Sequence, residues 1–156
     1  MGIEIERKFL VDKNQWERLS KSEGTRIKQG YLVNDNGKTI RLRIASGRAY
    51  ITFKGPASGS RRNEYEYEIP VNDGIELFNL FVKTHIEKTR YNINYKNKVW
   101  EADVFSGDNQ GLIVAEIELE REDEQFELPP WVTIEVTGQE KYYNSSLSTH
   151  PFKKWR

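Results

Sequence analysis

Hydrophobic and polar residues alternate along most of this chain, which is the pattern of half-buried β-strands. In the first such stretch Ile3 and Ile5 fall on one face, while Glu4 and Glu6 fall on the other. Turn signals such as Asn36-Gly37 separate this stretch from similar ones. The pattern predicts strands at residues 3–10, 25–33, 38–44, 48–54, 61–70, 86–95, 98–105, 112–121 and 131–137.

Three shorter segments have the apolar spacing of a helix. They cover residues 13–22, 74–84 and 139–148. Asp12 with Gln15 forms a predicted cap for the first helix, and Asp73 with Glu76 forms one for the second. Many strands joined by short turns, with few helices, predict the α+β class and a largely antiparallel sheet or closed barrel.

Length and composition suit one folded domain that spans residues 1–156. Lys+Arg and Asp+Glu are both 24, so the zero net charge argues against a protein that coats nucleic acid. Cysteine is absent, which excludes disulfides and thiolate metal sites. The chain shows no apolar run of membrane-spanning length and no signal peptide, so we expect a cytoplasmic protein without a membrane partner. The tail at residues 152–156 suggests no function.

The polar face of the predicted strands is densely ionic. Its alternate positions are Glu4, Glu6, Lys8, Thr39, Arg41, Arg43, Thr52, Lys54, Glu64, Glu66, Glu68, Lys88, Arg90, Glu101, Asp103, Glu116, Glu118 and Glu120. An open sheet would turn this face toward water, as antiparallel sheets commonly do. A closed barrel would turn it inward. The alternation alone leaves both structures open.

The signs of these charges are segregated by strand, which a solvated face usually avoids. Acidic runs stand at residues 4–6, 64–68 and 116–120, and basic pairs stand at 41–43 and 88–90. Like charges so close together are costly to bury without partners of opposite charge. Carboxylate oxygens suit Mg²⁺ or Mn²⁺, and Arg and Lys suit a polyanion. A complex of metal and phosphate would use both clusters.

A series of short motifs resembles the CYTH superfamily, the triphosphate tunnel metalloenzymes. The first is Glu-x-Glu-x-Lys, at residues 4–8. The others follow in the family's order at residues 29–32, 41–43, 52–55, 64–70, 88–91, 100–105, 115–119 and 142–147. The resemblance covers nearly the whole chain and is greatest to the small bacterial inorganic triphosphatases.

The resemblance implies an α+β fold with an eight-stranded antiparallel β-barrel, or tunnel, a charged interior and helices packed outside. One of the nine predicted strands would then be an extension. It also implies hydrolysis of inorganic triphosphate (tripolyphosphate) to pyrophosphate and phosphate, dependent on Mg²⁺ or Mn²⁺. The alternatives are a class IV-type adenylate cyclase, a thiamine triphosphatase, and a non-catalytic module that binds polyphosphate or nucleotide. A homodimer is usual for similar proteins.

Roles for individual residues follow from the resemblance. The metal ligands would be Glu4, Glu6, Asp103, Glu116 and Glu118. The phosphates would be bound by Lys8, Arg41, Arg43, Lys54, Lys88 and Arg90. A divalent ion neutralises charge on the leaving group and activates water, while Arg makes bidentate contacts with phosphate oxygens. Asp103 has an alternative role behind the ligands, as a hydrogen-bond acceptor.

Lys8 and Tyr31 are the candidate catalytic residues. Lys8 would either bind phosphate or, if surrounding cations depress its pKa, act as a base toward the attacking water. The resemblance places the hydroxyl group of Tyr31 against Lys8, where the pair would orient the nucleophile. The alternative for Tyr31 is an aromatic side chain that only packs within its strand.

The remaining charges near the predicted tunnel have simpler expected roles. Glu64 and Glu66 are expected to pair with basic residues of the tunnel and hold them in place. Glu68 is expected at the tunnel mouth. Arg61 and Arg62 adjoin a Gly- and Ser-rich loop and are expected to be solvated.

Overall fold

The structure is a computed structural model. The residues that it describes contain nine strands and three α-helices. It describes residues 2–155, so Met1 and Arg156, including the last residue of the tail, lie outside the described residues. The strands are β1 (Ile3–Val11), β2 (Thr25–Asp35), β3 (Lys38–Ala45), β4 (Arg48–Lys54), β5 (Arg61–Ile69), β6 (Thr84–Tyr95), β7 (Lys98–Phe105), β8 (Ile113–Glu118) and β9 (Val132–Glu135). The α-helices are α1 (Lys13–Arg18), α2 (Val71–Phe81) and α3 (Asn144–Thr149).

The first eight strands close into an antiparallel barrel. Their order is β5-β4-β3-β2-β6-β7-β8-β1, and β1 pairs back onto β5. Residues 3–5 of β1 make the closing pairs with β5, and residues 9–11 pair with β9. The strand β9 is therefore an extension beside the barrel. Both the predicted eight-stranded barrel and the predicted extra strand are confirmed, and the open sheet is excluded.

The first helix agrees with its predicted cap, and the second does not. Asp12 caps α1, since its Oδ1 accepts a hydrogen bond of 2.9 Å from the backbone N–H of Gln15. The prediction that Asp73 caps α2 is wrong, because Asp73 lies inside its first turn. This helix begins directly after Pro70, whose carbonyl accepts a 3.0 Å bond from Gly74. A proline has a fixed φ that suits a helix start, so the turn forms earlier than the charge pattern predicts.

The main hydrophobic core lies outside the barrel wall rather than inside it. Phe9 and Trp100 pack edge to face with their ring centroids 5.5 Å apart. From the outside, Trp16 of α1 and Trp131 before β9 cover the same surface at a centroid distance of 5.8 Å. Because the apolar faces of β1, β7 and β8 turn outward to this core, their charged faces turn into the barrel.

The helix α2 covers another part of the outer wall. A Cβ at Gly74 would lie 2.3 Å from the Cβ of Ala49 in β4, so glycine is what allows this close approach. The outer face of β5 differs, since Tyr65 and Tyr67 are 48% and 56% exposed. Within residues 2–155, no helix has the length and apolar character needed to cross a membrane.

Candidate functional site

The inside of the barrel is a polar cavity of about 250 Å³. Its lining includes most residues that the sequence assigns to a site: Glu4, Glu6, Lys8, Tyr31, Arg41, Arg43, Lys54, Lys88, Arg90, Glu116 and Glu118. Asp103 is the exception among the predicted metal ligands. Within the described residues, its side chain lies behind the lining and is 1% exposed. The structure thus brings the predicted acidic and basic residues around one space.

Strand register explains why these side chains meet. Lys8 of β1 lies opposite Glu116 of β8, and Glu6 lies opposite Glu118. Glu116 in turn lies opposite Glu101 of β7. Alternate residues of a strand point to the same face, so strands such as β1, β3 and β8 each add two or three charges to the interior.

Carboxylates gather on one part of the wall without enough cations to balance them. The pKa of Glu6 is raised well above its usual value by burial, and then by the negative charges of Glu116 and Glu4. Burial and the neighbours Glu64 and Glu116 likewise raise the pKa of Glu4, although Lys54 opposes them. Loss of hydration and nearby carboxylates also raise the pKa of Glu118. This group of acids is stabilised by added positive charge.

Glu116 differs from those acids because it faces cations. Burial acts to raise its pKa, but Lys8 and Arg90 outweigh burial and lower it. Its carboxylate lies 3.6 Å from the Nζ of Lys8 and 3.8 Å from a guanidinium nitrogen of Arg90.

Asp103 anchors two cations from behind the lining. Its Oδ2 accepts a 2.7 Å bond from the Nζ of Lys88, and its Oδ1 accepts a 2.7 Å bond from the Nε of Arg90. Burial acts to raise the pKa of Asp103, but Arg90 and Lys88 outweigh it and lower the pKa. Both carboxylate oxygens of Asp103 already accept hydrogen bonds from these cations. Of its two predicted roles, the hydrogen-bond acceptor behind the ligands therefore fits better than the metal ligand.

Two cations of the tunnel bind their protons weakly. Burial, together with the charges of Arg90 and Arg43, lowers the pKa of Lys88 to about 7, although Asp103 acts in the opposite direction. Burial and the neighbouring Arg41 lower the pKa of Arg43 to about 10. Close like charges of this kind are stabilised by an anion. This side of the cavity therefore complements a polyanion.

Glu64 and Glu66 hold basic residues in place, as expected. The Oε2 of Glu66 accepts a 3.2 Å bond from Arg41 and a 2.8 Å bond from the hydroxyl group of Thr52. Glu64 lies 3.3 Å from the Nζ of Lys54. Two other acids of the predicted charged face lie elsewhere: Glu68 is exposed and lies 3.8 Å from Arg48, and Glu120 is exposed beyond the end of β8.

Tyr31 and Lys8 both reach the cavity but have separate partners. Among the described side chains, no hydrogen bond joins them. The hydroxyl of Tyr31 accepts a 3.1 Å bond from Gln29, whose Oε1 accepts a 2.9 Å bond from Arg43. The Nζ of Lys8 donates to the carbonyl of Tyr142 at 3.4 Å. Burial acts to lower the pKa of Lys8, but Glu116 and Glu6 outweigh it and raise the pKa, so Lys8 is a cation and not a base at neutral pH.

Several lining residues were missed by sequence reasoning. Arg61 and Arg62 line the cavity, so the expectation that they are merely solvated is wrong. Arg62 donates to the carbonyls of Gly55 and Gly37 at 3.0 and 3.1 Å, which holds it at the rim. The C-terminal lining residues are Thr137, Gly138, Tyr143, Asn144 and Ser145. The last three of these belong to the motif at residues 142–147, which carries no charge that would have pointed to the site.

The donor set of the cavity fits a hard divalent cation. Glu4, Glu6, Glu116 and Glu118 all line it, and three of the four have raised pKa values because they are buried and lie near other carboxylates. Carboxylate oxygens are the preferred ligands of such ions. In the arrangement that residues 2–155 adopt, no three His, Asp or Glu side chains are grouped closely enough to hold a metal. Binding an ion would therefore require carboxylates to turn toward it.

Comparison with known proteins identifies the family. The CYTH domain profile matches residues 2–151. The chain is 43% identical to an inorganic triphosphatase of Acetivibrio thermocellus, over 100% of this chain and 99% of that protein. It is 34% identical to an inorganic triphosphatase of Nitrosomonas europaea, over 93% and 96%. A crystal structure of an inorganic triphosphatase superposes with a TM-score of 0.64 at 32% identity, over 92% and 96% of the two chains. The chain therefore belongs to the CYTH domain family.

Proposed function

We propose that this protein is a metal-dependent hydrolase that converts inorganic triphosphate to pyrophosphate and phosphate inside its barrel. The observation that carries the proposal is one cavity inside a closed barrel, lined both by carboxylates with too few cations near them and by crowded cations. Relatives that match over nearly their whole length are named inorganic triphosphatases. A phosphate chain with a bound metal ion carries both signs of charge, so the metal suits the carboxylates and the phosphates suit the cations.

The lining favours a bare phosphate chain over a nucleotide. Apart from Tyr31, Tyr143 and the small residues Ala57, Gly59 and Gly138, every lining side chain is polar or charged. A nucleobase binds best against apolar or aromatic surface. Tyr31 and Tyr143 already lie beside Gln29 and Lys8, respectively. Inorganic triphosphate thus fits the cavity better than ATP does, which places adenylate cyclase second.

Glu4, Glu6, Glu116 and Glu118 would hold a divalent ion, with Mg²⁺ or Mn²⁺ the candidates. Such an ion neutralises charge on phosphate oxygens and lowers the pKa of bound water. The acids themselves position the site: Glu116 keeps Lys8 and Arg90 near the cavity, and Asp103 fixes Arg90 from behind. We assign Asp103 to this supporting role.

The basic residues would bind and stabilise the phosphate chain. Lys8, Arg41, Arg43, Lys54, Lys88 and Arg90 all line the cavity. Phosphoryl transfer depends mainly on positioning and on stabilising charge in the transition state. Water attacks the terminal phosphorus while the bond from that phosphorus to the bridging oxygen breaks. The bridging oxygen leaves with pyrophosphate, and the proton that water loses passes to an oxygen of the products. Lys8 supplies positive charge at this step rather than accepting a proton, and Tyr31 aligns Arg43 through Gln29.

Product analysis tests the proposal. Purified protein is incubated with Mg²⁺ or Mn²⁺ and with tripolyphosphate, ATP or thiamine triphosphate. We expect phosphate and pyrophosphate from tripolyphosphate, and a large loss of rate in an Arg41→Ala variant. Cyclic AMP from ATP would favour the cyclase, and faster turnover of thiamine triphosphate would make that the substrate. Tight binding without turnover would mean a binding module. A cytoplasmic location and a homodimer stay predictions from the sequence.

A further inference from the structure

The chain after β9 crosses one end of the barrel. Near one wall, the carbonyl of Tyr142 accepts a 3.4 Å bond from Lys8 of β1. Near the opposite wall, the carbonyl of Ser145 accepts a 3.1 Å bond from Asn34 of β2. In the strand order of the barrel, β1 and β2 are four positions apart in a ring of eight. Residues 142–145 therefore span the opening, which brings uncharged groups against cations of the cavity.

One of these uncharged groups contacts a phosphate-binding candidate directly. The Oδ1 of Asn144 accepts a 3.2 Å bond from the Nζ of Lys88. The same ammonium donates to Asp103 at 2.7 Å. An ammonium has three N–H donors, and the described residues provide acceptors for two. These two bonds fix the orientation of the ammonium group and so the direction of its third N–H. The side chain of Lys88 also lines the cavity.

We propose that Asn144 is a positioning residue that aims the ammonium group of Lys88 at the phosphates of the substrate. This inference rests on the proposed function. An acceptor without charge suits the task, because it orients a cation without neutralising it. A carboxylate at the same place would compete with the phosphate chain for Lys88, and its negative charge would repel the phosphates. Lys54 shows the other arrangement, since it lies 3.3 Å from both Glu4 and Glu64.

Three variants of the whole chain test the assignment, with tripolyphosphate binding measured by calorimetry and hydrolysis measured in parallel. Asn144→Ala should weaken tripolyphosphate binding by about tenfold, the effect of losing a hydrogen bond to a charged group. Asn144→Asp should weaken it more, since it adds negative charge. Asn34→Ala is the matched control, because Asn34 holds the same segment from its exposed side. We expect its affinity within about twofold of wild type.

A double-mutant cycle with Lys88→Ala separates positioning from a structural role. If Asn144 acts through Lys88, Asn144→Ala should cause no further loss of affinity in the Lys88→Ala background. An equal loss in both backgrounds would overturn the inference, as would stronger binding by Asn144→Asp. Failure of the wild type to hydrolyse tripolyphosphate that it binds would overturn the proposed function alone, because the cycle is read from binding. Absence of binding by the wild type would overturn both.

Discussion

Lys88 and Asp103 form an ion pair inside the barrel wall, with the ammonium nitrogen 2.7 Å from Oδ2 and both side chains 1% exposed. The same carboxylate accepts bonds of 2.7 and 2.9 Å from Arg90. Removing a cation from water is costly unless an anion and further hydrogen bonds accompany it. One carboxylate here supports two cations, so the basic side of the cavity depends on Asp103.

Replacing Asp103 by Asn should destabilise the protein. The variant removes the carboxylate closest to Lys88 and Arg90, although other acids stay near Arg90. Breaking a buried ion pair typically costs about 3–5 kcal/mol in the free energy of unfolding. We expect about 3 kcal/mol, because Lys88 can release its proton and so avoid part of the penalty. Urea unfolding measures the effect. Asp123→Asn is the control, since that side chain is 81% exposed and pairs only with Arg121 in the described chain. Equal stability of the two variants would contradict the argument.

Binding of tripolyphosphate should take up a proton near pH 8. The pKa of Lys88 is lowered to about 7, first by burial and then by Arg90 and Arg43, so most of this side chain is neutral at pH 8 in the free protein. A bound polyanion raises the pKa and restores the charge. Calorimetry in two buffers with different ionisation enthalpies measures the uptake. A Lys88→Met variant is the control, because any protons that it takes up or releases on binding come from tripolyphosphate or from other residues. Equal proton uptake by the variant and the wild type would contradict the prediction.

Sequence reasoning identified most of the wall and its charges. Alternation in β1, β3 and β8 predicted which residues share a face. The segregation of charges by strand left a closed barrel and a solvated open sheet about equally possible, and the family resemblance favoured the barrel. The alternation of polar and apolar residues did not predict that the sheet closes into a barrel. Closure depends on the pairing of Ile3 with Asn63 and of Glu4 with Arg62, and nothing in either strand alone specifies such a distant partner.

The residues that sequence reasoning missed share a physical cause. Asn144 and Tyr143 reach the cavity because the chain crosses the barrel opening, a path that periodicity does not encode. Arg62 stands in the charged run that begins β5, but its carbonyl partners belong to two separate loops. Asp103 has the correct phase for a lining residue, yet Arg90 and Lys88 hold it behind the lining. In each case, long-range contacts decide the position of the side chain.

Replacing Glu6 by Gln should stabilise the metal-free protein at neutral pH. Burial, Glu116 and Glu4 raise the pKa of Glu6 well above 4.5. Between 4.5 and that raised pKa the folded state binds more protons than the unfolded state, so stability falls as the pH rises through this window. Glutamine carries no charge, so it occupies the same buried position without repulsion from Glu116 and Glu4. Thermal unfolding with a chelator should show a higher Tm for the variant at pH 7.5 and no difference below about pH 4.

Metal addition gives the complementary measurement. If Glu6 is a ligand, Mg²⁺ or Mn²⁺ should raise the Tm of the wild type and have a much smaller effect on Glu6→Gln, because an ion that binds only the folded state stabilises it. Glu68→Gln is a suitable control, since Glu68 is exposed and its side chain lies by Arg48. Equal metal-induced shifts in wild type and Glu6→Gln would contradict the assignment of Glu6.

Replacing Tyr31 by Phe tests whether this hydroxyl acts through Gln29 or on the nucleophile itself. The variant leaves the buried amide of Gln29 without its 3.1 Å acceptor and loosens the 2.9 Å bond that orients Arg43. We expect kcat for tripolyphosphate to fall about tenfold, with no further fall when Tyr31→Phe is added to Gln29→Met. A further fall with an altered pH profile would instead place the hydroxyl at the attacking water. Tyr65→Phe, on the exposed outer face of β5, should leave kcat unchanged. An unchanged kcat and pH profile in Tyr31→Phe would show that Tyr31 only packs within its strand.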